Sequence, residues 1–353
     1  MNLSLSAEEK NRYSRQLSLK GFGENAQLKL KNSSVLVVGA GGLGCPVLLY
    51  LAVAGVGKLG IIDGDIVSVS NLQRQVLFDQ ENIGEKKSEV AKKILFKKNP
   101  NVNIQSYSIF IAPENCLSIL HDYDVIIDGS DNFNTRYLVN DACVILKKPL
   151  VYAALHEYEG QLSVFNYKKG PTLRCLFPKI PENGIINNCA ETGVLGVLPG
   201  LIGIWQAQEA IKIITKIGEV LSGKLLVYHS LNNEVETISF KADENNKLIN
   251  NLDHFKNAET EIDPITLKNW IANENIQLID VRENDEFEEQ NIGGLNVPLA
   301  SLPYRLNEID HQLKTVLICQ SGKRSSFAFA LIKKEYPDIA IYHLKYGLNG
   351  YLL

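Results

Sequence analysis

VLVVGAGGLGCP, residues 35–46, decides the fold. An apolar, β-branched run ends at Gly39. Gly39, Gly41 and Gly44 then stand in the G-x-G-x-x-G frame, and the helix-like LLYLAVAG follows. Glycines at these places let a strand turn sharply into a helix and let the backbone approach a phosphate, while the first helical turn offers unpaired N–H groups. About 20 residues further on, KLGIID closes on Asp63, where a carboxylate can accept ribose hydroxyls. The stretch predicts a nucleotide site at a strand–loop–helix turn. The glycines and Asp63 alone leave a dinucleotide and a nucleoside triphosphate both open.

Working outward, SSVLVVG, KLGIID, YDVIIDGS and KPLVYAA read as buried parallel strands separated by stretches long enough for crossover helices. GQLSVFNY from Gly160 and GKLLVYHS from Gly223 alternate more and read as antiparallel strands. GVLGVLPGLIGIWQAQEAIKII, from Gly193, is the most apolar long stretch. Its glycines, its proline and then Gln206, Gln208, Glu209 and Lys212 interrupt it before about 20 residues of lipid are spanned, so it reads as a buried helix with a loop before it. KADENNKLINNLDHFKNAETEID, from Lys241 to Asp263, is polar and poor in strand formers, and reads as a linker. Beyond it come a helix (PITLKNWIANE), two strands (QLIDVR and TVLIC), a helix (SSFAFALIKKEY) and a strand (IAIYHLK). The expected architecture is α/β throughout. Residues 1–240 form a Rossmann-like mixed sheet with helices on both faces, 241–262 a linker, and 263–353 a small second α/β domain.

A chain of 353 residues suits about two domains. Net charge of −4 gives no basic field for nucleic acid or an acidic membrane. The N-terminal MNLSLSAEEKNRYSRQ lacks the basic-then-apolar pattern of an export signal. Cys45, Cys116, Cys143, Cys175, Cys189 and Cys319 are scattered without a disulfide framework. A cytoplasmic protein that contacts neither nucleic acid nor membrane is expected.

A triphosphate site also needs cations for the phosphates and a carboxylate for magnesium. Asp65 and then SNLQRQ, with Arg74, follow Asp63; GEKKSEV presents Lys86 and Lys87; DGSDN ends a strand with Asp131 and Asn132. The plain alternative for the two lysines is a solvated helix start. The dinucleotide alternative, an FAD- or NAD-linked persulfide or disulfide reductase, leaves these residues unexplained and lacks a C-x-x-C redox pair.

RYSRQ, GAGGLGCP, IIDGD, SNLQRQ, the GEKK lysine, DGSDN and NCAETGVLGVLPG occur in this order from residue 12 to residue 200. Together they resemble the MoeB/ThiF/HesA family of ubiquitin-activating-like adenylyltransferases. The resemblance implies that ATP and Mg²⁺ are bound and that the C-terminal glycine of a ubiquitin-like sulfur carrier ending in Gly-Gly is adenylated. It places Gly42 and its neighbours Gly39, Gly41 and Gly44 against the nucleotide and Asp63, with Asp65, at the ribose. Arg15, Asn71 and Lys87 fall on the phosphates, with Ser70, Leu72 and Gln73 beside Asn71. Asp131, with Asn132 next to it, holds the metal, and Arg74 reaches the site of a second subunit, which implies a homodimer. Many members carry a structural zinc on two C-x-x-C pairs. Here the first pair is replaced by TLRC, residues 172–175, and no cysteine lies between Cys189 and Cys319. One thiolate cannot fill four positions, so no zinc site is expected and Cys175 reads as an inert remnant.

Two thiols have candidate roles. Cys189, in NNCAETGVLG, matches the family's position for a thiol that bonds covalently to the carrier. Cys319 ends the strand of TVLICQSGKRSSFAF and is followed by Gln320, Ser321, Gly322, Lys323 and Arg324, with a helix expected to begin near Ser325. Loop and helix N–H groups converging on sulfur lower a thiol's pKa, so an acidic, exposed thiol is expected. LIDVRENDEFEEQNIGGLNVPL, CQSGKRS and GLNGYL resemble a rhodanese sulfurtransferase domain. That resemblance makes Cys319 the carrier of a persulfide, stabilised by Arg324 and the loop amides, and gives Asp280 and Arg282 structural contacts. A cysteine phosphatase usually sets five residues between its cysteine and arginine; here four intervene. The combined implication is adenylation of a carrier followed by sulfur transfer to give a thiocarboxylate, in a molybdopterin, thiamine or related pathway. The sulfur comes from a cysteine desulfurase or thiosulfate. A non-catalytic scaffold for ubiquitin-like proteins is a third reading.

Overall fold

The computed structural model describes residues 4–179, 193–255, 261–336 and 339–351. These divide into two compact units, one running to residue 255 and the other formed by the residues from 261 onward.

The first unit is built on an eight-stranded sheet in the order β3-β2-β1-β4-β5-β6-β7-β8. Its strands are β1 (Ser34–Val38), β2 (Lys58–Ile62), β3 (Asn103–Tyr107), β4 (Val125–Asp128), β5 (Leu150–His156), β6 (Glu159–Phe165), β7 (Lys224–His229) and β8 (Glu234–Ser239). The first five are parallel, and β6 to β8 continue antiparallel. Side chains alternate across β1: Val35 and Val37 join one core, and Leu36 and Val38 join another on the opposite face. Both faces are therefore buried, as continuous apolar strands require. The helices are α1 (Ala7–Arg12), α2 (Ser14–Leu17), α3 (Gly23–Lys31), α4 (Gly44–Ala54), α5 (Lys87–Lys98), α6 (Pro113–His121), α7 (Phe133–Leu146), α8 (Leu173–Leu176) and α9 (Val197–Thr215). The α9 helix is the buried apolar segment expected from Gly193 onward. No described helix is long and apolar enough to cross a membrane.

Strand order reverses between β1 and β4, which opens a crevice at their C-terminal ends. Gly39 turns there at φ +92°, and a Cβ on it would lie 2.9 Å from the Gly129 carbonyl oxygen. A Cβ on Gly44 would overlap the Gly39 carbonyl. Gly44→Ala is expected to lower unfolding stability by about 1–3 kcal/mol, the usual cost of overpacking, measured by urea denaturation.

Residues 243–255, which composition assigns to the linker, pack on the first unit. Leu252 is buried in its second core, with Phe240 and Phe255 against the same cluster. The Asp243 N–H donates to the Cys175 Sγ at 3.2 Å, and the Thr172 N–H reaches the same sulfur at 3.4 Å. Two apolar anchors and a sulfur acceptor suffice to dock a segment whose average composition is that of a loop. Cys175, expected as an inert remnant, thus joins two stretches of chain.

The second unit has a five-stranded parallel sheet in the order β11-β10-β12-β13-β9. The strands are β9 (Glu261–Ile262), β10 (Ile276–Asp280), β11 (Leu295–Asn296), β12 (Lys314–Ile318) and β13 (Ile341–Leu344). The helices are α10 (Pro264–Asn273), α11 (Asn284–Glu289), α12 (Lys323–Glu335) and α13 (Gly347–Tyr351). Again the sheet carries one core on each face. His343 of β13 is buried beside Phe329, its Nδ1 has no hydrogen-bond partner among the described residues, and burial pushes its pKa down to about 4. A base depressed in the folded state stabilises the fold above its unfolded pKa, about 6.5, and loses that contribution as pH falls towards 4. His343→Phe is expected to remove up to about 3 kcal/mol of the stability lost between pH 7 and 4, read as the difference between the two pH–stability curves.

Candidate functional site

The loop after β1 is tied to the end of β2. Asp63 Oδ2 accepts the Ala40 N–H at 2.7 Å, and its Oδ1 accepts the Asp65 N–H at 2.8 Å. Desolvation raises the Asp63 pKa, and the charge of Lys87 opposes that rise. Lys87 is the first residue of α5 and only 5% exposed, whereas Lys86 beside it is exposed. The solvated helix start thus describes Lys86 and not Lys87. Lys87 Nζ donates to Asp65 Oδ2 at 3.1 Å, and Asp65 itself is open to solvent. An ammonium has three protons to donate. This one is buried, uses one of them on a single carboxylate among the described residues, and stands beside a loop suited to anions.

The 68–75 segment closes another side. Its turn, Val69–Asn71, is held by the Ser68 N–H donating to Asn71 Oδ1 at 3.4 Å and by the Ser68–Ser70 hydroxyl pair at 3.1 Å. Leu72 packs on the first core, and Gln73 lies against Gly196. Arg74 Nη1 donates to the Ser70 carbonyl at 3.0 Å. A Cβ on Gly42 would lie 3.1 Å from Pro199 and 3.3 Å from the Arg74 stem, so the glycine loop, the 68–75 segment and α9 meet at Gly42. Arg15 is exposed on α2 and makes no side-chain hydrogen bond or ion pair with the described residues.

At the end of β4 the sequence reading named Asp131 and Asn132 but missed the residues that fix them. Asp128 is fully buried; its Oδ1 accepts the Ser130 N–H at 2.9 Å and hydroxyl at 2.6 Å. Arg136 Nη2 donates to the Ser130 carbonyl at 3.2 Å, with its Nε 3.9 Å from Asp128 Oδ2. Gln206 of α9 donates to the Asp128 carbonyl at 2.7 Å. Asn132 Oδ1 caps α7 by accepting the Thr135 N–H at 2.8 Å, which places the exposed Asp131 at the rim just before the helix. An arginine one helical turn beyond Asn132 was the signal available in the sequence.

In the second unit Cys319 follows β12, and α12 begins at Lys323, two residues before the expected start, because Gly322 makes the turn at φ +85°. Cys319 is 1% exposed, which corrects the expectation of an exposed thiol: β12 and α12 enclose the sulfur together. Its Sγ accepts the Ser325 N–H at 3.3 Å and lies 3.5 Å from the Ser325 hydroxyl. The α13 segment backs the loop, with the Leu348 and Asn349 N–H groups donating to the carbonyls of Cys319 and Gln320 at 2.9 and 3.0 Å. Ser321 lies within this loop, between Gln320 and the Gly322 turn. Arg282, also 1% exposed, forks onto Asp280 and donates to Gln320 Oε1 at 3.1 Å. Arg324 forks onto Glu286 at 2.5 and 2.7 Å, and those bonds hold the Glu286 carboxyl below its usual range. Cys189 lies outside the described residues.

The class so defined is a nucleotide-binding α/β domain followed by a thiol-loop α/β domain. The ThiF family matches residues 13–249, and the Rhodanese-like domain matches residues 263–353. The Drosophila yakuba "Adenylyltransferase and sulfurtransferase MOCS3" is 38% identical over 383 residues, covering 99% of this chain and 84% of its own. The Thermus thermophilus "Sulfur carrier protein adenylyltransferase" is 51% identical over 229 residues, 64% of this chain and 84% of its own. A crystal structure of Escherichia coli MccB with ATP superposes with a TM-score of 0.57 at 26% identity, covering 66% of this chain and 72% of that one. The chain belongs to the ThiF family and ends in a rhodanese-like domain.

Proposed function

We propose that the chain uses ATP to adenylate the C-terminal glycine of a ubiquitin-like sulfur carrier and then delivers sulfur from a Cys319 persulfide, giving a thiocarboxylate. The observation that carries the first half is Lys87, a buried ammonium that among the described residues bonds one carboxylate and keeps protons for phosphate oxygens. The glycine turn at Gly39 to Gly44 cradles the triphosphate, and Asp63 accepts the ribose. Asn71, Arg15 and Lys87 offset phosphate charge as a carrier carboxylate oxygen bonds to the α-phosphorus and pyrophosphate departs. The family resemblance assigns Arg74 to the nucleotide of a second copy, so a homodimer is part of the proposal.

Magnesium is implied by the same resemblance. The described residues hold no cluster of three ligating side chains, and a magnesium ion on a triphosphate needs only one or two carboxylates beside phosphate oxygens and waters. Asp131 fits that need, because Asp128 is turned inward onto Ser130. The ion would neutralise charge on the departing pyrophosphate.

For the second half, the terminal sulfur of the Cys319 persulfide attacks the activated carbonyl and AMP leaves, producing an acyl disulfide. AMP is the leaving group that makes the carboxyl electrophilic, and a persulfide is nucleophilic at neutral pH. A second thiol, assigned to Cys189, then attacks the Cys319 sulfur, the S–S bond breaks, and the carrier departs with a thiocarboxylate. The Cys189–Cys319 disulfide left behind is reduced by an external thiol. Carrier-dependent exchange of labelled pyrophosphate into ATP tests the adenylation half, and its absence contradicts it.

A further inference from the structure

The charge around Cys319 bears on where its sulfur comes from. Two arginines flank the loop and neither is unengaged. Both outer nitrogens of Arg324 bond the Glu286 carboxylate, at 2.5 and 2.7 Å. Arg282 is buried and committed to Asp280, the Gln290 carbonyl and Gln320. Glu286 belongs to α11, and in residues 283–289 it is accompanied by Glu283, Asp285, Glu288 and Glu289, all exposed, with no base among them. Residues 280–289 and 319–325 together carry six acids and three bases. The sulfur is met by a neutral backbone N–H from Ser325. These charges offer little to a small inorganic dianion and do not repel a donor whose sulfur sits on a thiol.

We propose that Glu286, by engaging Arg324 and anchoring the acidic α11 rim, makes the Cys319 loop selective for thiol-borne persulfides over thiosulfate. The proposal rests on the reading of Cys319 as a persulfide carrier. With the favoured donor, the Cys319 thiolate attacks the outer sulfur of R–S–SH, the donor's S–S bond breaks, and R–S⁻ leaves with the electron pair. With thiosulfate, the same attack on the sulfane sulfur expels sulfite. Neither transfer needs an added oxidant or reductant. The carboxylate acts on the dianion, because cysteine persulfide in its reacting R–S–SH form balances its own carboxylate with an ammonium and carries no net charge.

The test is single-turnover loading of the full chain, with Cys319 persulfide read by mass spectrometry, using thiosulfate and cysteine persulfide as donors. Glu286→Gln is expected to lower the thiosulfate concentration for half-maximal loading about tenfold, the change that about 1.4 kcal/mol produces, and to leave cysteine persulfide loading unchanged. In the wild-type chain, raising ionic strength screens the acids, so thiosulfate loading accelerates with salt while persulfide loading does not. An unchanged or higher thiosulfate requirement in folded Glu286→Gln overturns the proposal. So does wild-type thiosulfate loading that slows with salt, a measurement that survives even if the variant does not fold. Failure of both donors to load the wild-type chain overturns instead the reading of Cys319 itself.

Discussion

Cys319→Ala abolishes thiocarboxylate formation on the carrier while carrier-dependent pyrophosphate exchange continues at the wild-type rate. The expectation follows from the division of labour between two units, each with its own sheet and its own cores. Removing the thiol deletes the atom that holds the sulfur and touches nothing around Lys87 or the glycine loop. Cys319 packs among the apolar residues of the second unit, so the truncation also costs some local stability, and the exchange assay reports on the first unit independently of that loss. Sulfur transfer retained by the alanine variant would remove Cys319 from the mechanism.

Lys87→Ala has the second large effect. It is expected to slow adenylation by about 10²–10³-fold, the usual loss when one preorganised charge-stabilising donor is deleted. Its hydrogen-bond partner Asp65 is open to solvent, and Asp63, which loses the offsetting charge of Lys87, keeps the Ala40 and Asp65 N–H donors, so the fold persists. Pyrophosphate exchange measured beside thermal unfolding separates the two quantities. Exchange within a few-fold of wild type would show that Lys87 is a packing residue. Arginine is not an adequate substitute, because its fork is larger than the ammonium that the start of α5 encloses.

How much of this was legible in the sequence depended on whether the signal was local. The glycine turn, the strands around it and α9 follow from periodicity and residue type within short windows, and the structure has them. The sheet's two outer strands gave no such signal. NIQSY in β3 and EVETIS in β8 are edge strands, polar because they face solvent, and their pairing comes from β2 and β7. The β7–β8 turn did carry a cue in the asparagines Asn232 and Asn233, the second at φ +58°. Which of two adjacent lysines is buried could not be read before the register of α5 was known. The pairs Asp128–Arg136 and Glu286–Arg324 join residues 8 and 38 positions apart, through tertiary packing that no periodic pattern encodes. Cys319 was recognised by its motif, but its burial comes from how α12 covers the end of β12, one residue environment that loop composition misjudges.

The central claim is that one chain both activates a carrier carboxyl and places sulfur on it. It is tested most directly by incubating the full chain, loaded with persulfide, with ATP, magnesium and a ubiquitin-like protein ending in Gly-Gly, and measuring the mass of the carrier's C-terminus. The account predicts replacement of one carboxyl oxygen by sulfur, dependent on both ATP and Cys319. A carrier whose C-terminal mass is unchanged while ATP and persulfide are both present would contradict it.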